Sequence, residues 1–321
     1  MTHSGFERGF TASLGLLWGR QGLALGSEAA DHGERSAWSA GAASTQKSLW
    51  QFAARGAPPG AMMAELTGRA SGVSKGKGGS MHMFDKSLNF MGGHGIVGSH
   101  LPLAVGVGYT IRYQGEEQVC LCFFGDSVVN IGAFHESMNM AARWKLPVVF
   151  LLENNQYGMG TDVQRVAAVK ELKDRGLAYD GLASIDVDGM DVLAVRQVME
   201  EAIDRGRTEK LPTFIEAKCF RYMGHSMADP SHGTYRTKEE VQKWRSDDPI
   251  LAFRQLMIET GRLTEEEYDK IDQEMITVCE AAAEFADTSP FPDPNTIYQY
   301  IYSDRYPGDL QRRDAWRKEF S

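Results

Sequence analysis

Residues 119–161 read VCLCFFGDSVVNIGAFHESMNMAARWKLPVVFLLENNQYGMGT. An apolar, β-rich run over 119–124 stops at Gly125-Asp126-Ser127. Phe134, Met138, Ala141, Ala142 and Lys145 then recur at helical spacing. Pro147 opens a second apolar run over 148–152, which stops at Glu153-Asn154-Asn155. Two continuous apolar runs joined by an amphipathic helix predict a βαβ unit whose parallel strands are buried on both faces. Asp126 and Asn155 then stand just past the carboxyl ends of neighbouring strands, the edge where open α/β sheets bind ligands.

A carboxylate and an amide oxygen are hard donors that suit Mg²⁺ or Ca²⁺. A Gly-containing turn entering a helix offers amides and a dipole to phosphate groups. Either dipeptide alone reads more simply as a turn and a loop cap. The pair, at matched strand ends, favours a metal-diphosphate site.

Composition narrows the alternatives. The 321 residues carry 34 Lys and Arg against 43 Asp and Glu, a net charge of −9, which argues against general nucleic-acid binding. No run of 18 apolar residues predicts a membrane span, and the start lacks the basic-then-apolar order of a signal peptide. Cys120, Cys122, Cys219 and Cys279 form no C-x-x-C pair. Cys120 and Cys122 share one face of the first strand and read as core, which fits a reducing, cytosolic compartment.

Elsewhere, 58–70 reads as a helix with Pro near its start and Gly at its end. The loop SGVSKGKGGS, 71–80, has the look of a phosphate cradle without the spacing of a P-loop. The Gly-rich turn 92–98 precedes an apolar helix reaching Tyr113. Residues 172–176 suggest the end of an exposed helix, 184–187 a short strand, and Asp191 the N-cap of a helix over 192–205. Another buried strand is expected over 212–218, then a long polar loop over 220–237 containing His225. Asp247-Asp248-Pro249 starts a helix to Thr260, and Thr264 to Glu267 forms a capping box for a long helix. Its stripe of Ile271, Met275, Val278 and Ala282 reads as packing or a subunit contact. No G-x-G-x-x-G follows a strand with an acid about 20 residues on, which disfavours a nicotinamide-binding Rossmann enzyme.

Gly125-Asp126 with Asn154-Asn155 resembles the diphosphate-binding motif of thiamine-diphosphate enzymes. Phe134-His135-Glu136-Ser137 and Trp144-Lys145-Leu146-Pro147 narrow the resemblance to the E1 α-subunit family of 2-oxo acid dehydrogenases, on its pyruvate side, over roughly 54–302. The resemblance implies a three-layer α/β fold with a parallel sheet of the thiamine-diphosphate-binding type and a helical C-terminal tail. It divides the chain into a diverged start (1–53), a cofactor domain (54–237) and a helical region (238–321), expected to pack on that domain. It implies Mg²⁺ held by the side chains of Asp126 and Asn155 and the backbone carbonyl of Tyr157. It also implies backbone contacts from Gly95 and Val97 to the aminopyrimidine, cofactor contacts from Ser127 and Val128, and His225 facing the phosphates and reaction centre.

By the same resemblance, an E1 β subunit completes an α2β2 heterotetramer, pyruvate is decarboxylated, and the acetyl group passes to a lipoyl domain of an E2 acyltransferase. The expected compartment is bacterial cytoplasm, or the mitochondrial matrix in a eukaryote. Neither a nucleic-acid nor a membrane partner is expected. Acetoin dehydrogenase α subunits share these motifs, branched-chain E1 fits less well, and a catalytically weakened assembly subunit is a further alternative.

Several positions depart from the family. Ser127 stands where Gly is usual, and a positive φ there would cost about 1–2 kcal/mol, partly offset by a hydroxyl donating to phosphate. Asn130 fits the motif as a helix cap. Met223 replaces a frequent His, and Ser226 aligns with a phosphorylated position of mitochondrial relatives. In 1–53 the family's long first helix and its Tyr-Arg-then-His diphosphate contacts find no convincing counterpart, and 19–26 only partly matches a family turn. Two explanations compete there, a truncated and locally frame-shifted start or a diverged paralogue with a weakened cofactor grip, and the first is favoured because the similarity resumes abruptly at Ala54.

Overall fold

The computed structural model describes residues 38–40, 47–226, 236–297 and 299–300. Expectations for 19–26, for 227–235 within the polar loop and for the last twenty residues lie outside them. Chain order runs β1 (Trp38–Ala40), α1 (Lys47–Ala54), α2 (Pro59–Leu66), α3 (His100–Gln114), β2 (Cys120–Gly125), α4 (Gly132–Trp144) and β3 (Val148–Asn154). It continues through the short antiparallel pair β4 (Tyr157–Gly158) and β5 (Thr161–Asp162), β6 (Ala183–Asp188), α5 (Val192–Thr208) and β7 (Thr213–Lys218). Three helices follow, α6 (Lys238–Ser246), α7 (Pro249–Glu259) and α8 (Glu265–Thr288).

The main sheet has the order β1-β2-β3-β7-β6, and every pairing in it is parallel. The expected βαβ unit is β2-α4-β3, with Cys120 opposite Val148 and Gly125 opposite Glu153. Alternation along each strand builds two cores. On one face Cys120, Cys122 and Phe124 join Val148, Phe150, Leu152 and Phe214 beneath α3 and α4. Phe124 stacks on Phe214 with ring centroids 6.2 Å apart, and Phe134 of α4 meets both rings edge-on at 6.1 and 5.4 Å. On the other face Val149, Leu151, Ile215 and Ala217 pack beneath α5 through Met199 and Ala202. Three layers result, each fully buried Phe contributing about 1.5–3 kcal/mol of transfer free energy. Burial among these side chains pushes the Cys122 thiol well above its ordinary value, in keeping with its reading as core.

The capping box at Thr264 and Glu267 starts α8 as expected, and Asp191 and Asp248 cap α5 and α7. α8 lies along α2. Met275 and Cys279 join Met62, Phe52, Ala57 and Phe90 in a third cluster, with Val278 packed against it. The α8 stripe is therefore packing within the chain rather than a free subunit contact.

Three local expectations change. Lys145 is not on the α4 stripe; it caps the helix with φ 52°, in the left-handed region. Residues Leu172–Ala178 form a 3-10 helix rather than an exposed helix end, and Leu172 is fully buried in the core under α4. The start, which shows no strand periodicity, supplies β1, paired Trp38 with Cys120 through Ala40 with Cys122. Three residues are too few for alternation to register.

Candidate active site

Asp126 is the first residue after β2 and opens a 3-10 turn, Asp126–Asn130; only 2% of its surface is exposed. Asn155 is the first residue after β3 and is nearly as buried, at 7%. The register that sets Gly125 opposite Glu153 brings the two exits side by side. Tyr157 follows in β4, whose Gly158 closes over the turn. A Cβ on Gly158 would stand 2.0 Å from Ser127 Oγ and 3.9 Å from Asp126 Oδ2, so any side chain there would have to displace the Ser127 hydroxyl.

The β3 exit is held from both sides. Asn154 Nδ2 donates to Glu216 Oε1 at 2.7 Å, and the Lys173 amide donates to Glu216 Oε2 at 2.7 Å. Asn154 Oδ1 accepts from the Gln156 amide, whose φ of 69° turns the chain. Asn154 is therefore a brace, and its neighbour Asn155 accepts through Oδ1 from the Tyr157 amide at 3.3 Å, which leaves one lone pair of that oxygen for a ligand. On the other side Arg236, 4% exposed, donates to the carbonyls of Asn155 (2.8 Å) and Arg221. Its guanidinium lies over the rings of Phe220 (4.3 Å) and Tyr157 (4.9 Å), and Phe220 stacks on Trp244. Arg221 also donates to the Met159 carbonyl. His225 is half-buried, four residues beyond Arg221 on this tethered segment.

The second Gly-rich turn meets the first. Gly98 has φ 77°, and a Cβ there would collide with Ile131 Cδ1 at 1.9 Å and approach Val128 Cγ1 at 3.4 Å. Gly95, Ile96 and Val97 are exposed at the tip of this turn. Behind it His82 Nδ1 lies 3.1 Å from the Gly93 carbonyl, and the His94 and His100 rings stack at 5.9 Å. His100 Nε2 lies 2.9 Å from the Phe123 carbonyl. Burial pulls the His100 pKa down to about 4, and burial first, then His82, lowers that of His94. His100 is thus neutral at pH 7, donating through Nε2.

Three site expectations are corrected. Ser127 lies in the right-handed 3-10 turn and not at positive φ, so the expected strain is absent. Asn130 does not cap α4, whose N-cap is Ile131; its Oδ1 accepts from Arg175 Nη2 at 2.7 Å. The 71–80 loop turns its amides inward, onto the buried carboxylate of Glu65, so those amides are not a phosphate cradle. Val128 has its side chain in the core, leaving only its backbone toward a ligand.

Sequence reading missed Glu65, Glu216 and Arg236. A charged residue inside the apolar run PTFIEAK is the signal that would have singled out Glu216, because buried carboxylates are almost always paired. Asp126 carboxylate, Asn155 amide oxygen and a backbone carbonyl form a hard-oxygen set of the kind Mg²⁺ takes, so the residues fit that ion.

Comparison with known proteins matches these features to a family. The model of the dehydrogenase E1 component matches residues 18–295. The pyruvate dehydrogenase E1 component subunit alpha of Rhizobium meliloti (strain 1021) is 47% identical over 241 residues, 75% of this chain and 68% of that protein. The mitochondrial somatic form from Rattus norvegicus is 44% identical over 265 residues, covering 82% and 66% respectively. The Rickettsia bellii (strain RML369-C) subunit is 40% identical over 247 residues, covering 77% and 75%. The chain thus spans about two thirds to three quarters of the length of these relatives, which come from bacteria and mitochondria. No helix among the described residues is long and apolar enough to cross a membrane. With the matched strand exits, the two Gly-rich turns and a family match over most of its length, the chain belongs to the dehydrogenase E1 component family.

Proposed function

We propose that this chain is the α subunit of a pyruvate-dehydrogenase E1 component, binding thiamine diphosphate through Mg²⁺. The observation that carries the reading is the pair Asp126 and Asn155, buried side by side at adjacent parallel strand exits. Asp126 and Asn155 would hold the metal by their side chains and Tyr157 by its carbonyl, an arrangement favoured by the Arg236 and Glu216 braces behind them. Ser127, exposed in the turn, would donate its hydroxyl to a phosphate oxygen, with Val128 contributing backbone only. Gly95 and Val97 would offer backbone groups to the aminopyrimidine, and His225 would face the phosphates and reaction centre. When bound, thiamine diphosphate supplies the electron sink for loss of CO₂ from a 2-oxo acid.

The chain's own residues anchor and orient; the carboxylate that a thiamine cofactor needs beside its aminopyrimidine would come from an E1 β subunit. An α2β2 heterotetramer, delivering acetyl groups to the lipoyl domain of an E2 acyltransferase, is the corresponding assembly. Bacterial cytoplasm or mitochondrial matrix is the compartment this reading requires.

The test is calorimetry of thiamine diphosphate with Mg²⁺ on the chain assembled with an E1 β subunit. Asp126→Ala, which removes the carboxylate proposed for the metal, should abolish Mg²⁺-dependent binding; unchanged affinity would sink the assignment. In the same assembly pyruvate should be turned over in preference to acetoin or branched 2-oxo acids. The isolated chain should turn over none of them.

A further inference from the structure

Glu65, in the last turn of α2, is fully buried and charged, and no step of the proposed function uses it. Its carboxylate is wrapped by one loop. Oε2 accepts from the amides of Ser74 (2.8 Å) and Gly76 (2.9 Å), and Oε1 from those of Gly78 (2.6 Å) and Gly79 (3.1 Å). Four charge-assisted bonds from backbone donors make a rigid hub, and such bonds are about twice as strong as neutral ones. The loop closes tightly enough that a Cβ on Gly72 would lie 2.3 Å from Glu65 Oε2.

The hub does not end in the loop. Ser74 Oγ donates to the His82 carbonyl at 2.7 Å. The His82 ring in turn sits 3.1 Å from the Gly93 carbonyl, and a Cβ on Gly95 would stand 3.3 Å from its Cε1. A continuous path of short contacts therefore runs from the buried carboxylate, through Ser74 and His82, to the Gly93 carbonyl, with the His82 ring flanking Gly95 at the start of the exposed tip. From the other side that turn meets Ile131 and Val128 at Gly98, and its His94 ring stacks on His100 of α3.

We propose that Glu65 is a positioning residue for this site: it organises the 72–80 loop and, through Ser74 and His82, sets the location of the 92–98 turn. The functional part rests on the reading of Gly95 and Val97 as cofactor contacts. A carboxamide cannot replace the carboxylate, since Gln offers one acceptor oxygen to four converging donors and adds two donors of its own.

Two variants and two readouts decide it, each on the chain assembled with an E1 β subunit. Hydrogen exchange followed by mass spectrometry reports the peptides 72–80, 92–98 and, as an internal control, 119–154. Glu65→Gln should speed exchange in 72–80 and in 92–98 by roughly tenfold or more, the scale of one lost charge-assisted bond, while 119–154 stays protected. Ser74→Ala cuts the path beyond the hub and should speed 92–98 alone. Calorimetry should show thiamine diphosphate affinity lowered in both variants, more in Glu65→Gln. Exchange that rises in 72–80 while 92–98 and cofactor affinity stay at parent values would reduce Glu65 to a fold brace and overturn the proposal. If Glu65→Gln fails to fold, Ser74→Ala decides, because it leaves the carboxylate and its four amides in place. A parent assembly that binds no thiamine diphosphate would refute the cofactor reading instead, and the exchange arm would still decide whether the path exists.

Discussion

The site is made by two regions built on opposite principles. The β2-α4-β3 unit is defined by apolar burial: Phe124, Phe134, Phe150 and Phe214 are fully buried, and Asp126 and Asn155 are carried to their positions by strand register. The 72–98 lobe has little regular structure and is defined by polar atoms, the Glu65 carboxylate with its amides, His82 behind the turn and His94 stacked on His100 at the start of α3. Burial energy in the first is spread over many side chains, whereas a charged hub concentrates the organisation in a few atoms. One region sets where the metal would sit; the other sets the height of the turn facing it.

The largest expected difference between them is in stability. Phe124→Ala removes a ring that stacks on Phe214 and meets Phe134, and should cost about 3–5 kcal/mol in urea unfolding. A loss under about 1 kcal/mol would mean that the sheet is not held by this face.

The same contrast explains what could be read from the sequence. The parallel pair, the intervening helix and the two exits were legible because a continuous apolar run broken by Gly-Asp or Asn-Asn encodes them locally. The caps at Asp191, Asp248 and Thr264 were legible for the same reason, each set by residues two or three apart. Glu65 was not, since its partners are nine to fourteen positions away and are backbone amides, which any residue type supplies. Ser127 misled because a family glycine suggested positive φ, yet the turn is 3-10 and accepts a side chain. Arg236 was hidden because its partners, Asn155 O and the Phe220 and Tyr157 rings, are brought together only by the tertiary fold.

The junction of the polar lobe with α3 should also be a source of acid sensitivity. His100 has its folded-state pKa lowered to about 4 by burial, against about 6.5 in the unfolded chain. A His with a lowered folded pKa leaves the unfolded state binding more protons, so its contribution is full above about pH 6.5 and is lost as pH falls towards 4. The loss should reach about 3 kcal/mol at pH 4, read as a falling unfolding midpoint between pH 6.5 and 4. His100→Gln keeps a donor towards the Phe123 carbonyl and should flatten that profile. An unchanged slope would place the acid sensitivity in other groups.

A smaller effect should separate the lobe from the sheet. Gly76 has φ 72°, and a Cβ there would stand 2.6 Å from the Arg69 carbonyl oxygen, which is backbone and cannot swing away. Gly76→Ala should cost about 2 kcal/mol through strain and a displaced loop. Trypsin should then cut at Lys75 or Lys77 well before it reaches 119–154. Simultaneous cleavage in both regions would show that the lobe and the sheet unfold as one unit.

The smallest effect tests a contact at the border of the two regions. As a helix cap, Asn130 would lose about 0.5–2 kcal/mol on replacement by Ala, whatever stands at position 175. In the structure its Oδ1 instead accepts from Arg175 Nη2 at 2.7 Å, and Arg175 Nη1 lies 3.3 Å from His135 Nε2, whose other ring nitrogen is 2.8 Å from the Tyr179 hydroxyl. This ties the turn after β2 to the 3-10 helix at Leu172–Ala178. Asn130 is exposed, so the bond is solvent-screened and Asn130→Ala should cost no more than about 1 kcal/mol. The discriminating quantity is the coupling. With Arg175→Ala and the double variant, a thermodynamic cycle should give a pairwise term of about 0.5 kcal/mol, since the two singles remove the same bond. A cap would give additive losses and no coupling, and the effect of Asn130→Ala would then survive intact in the Arg175→Ala background.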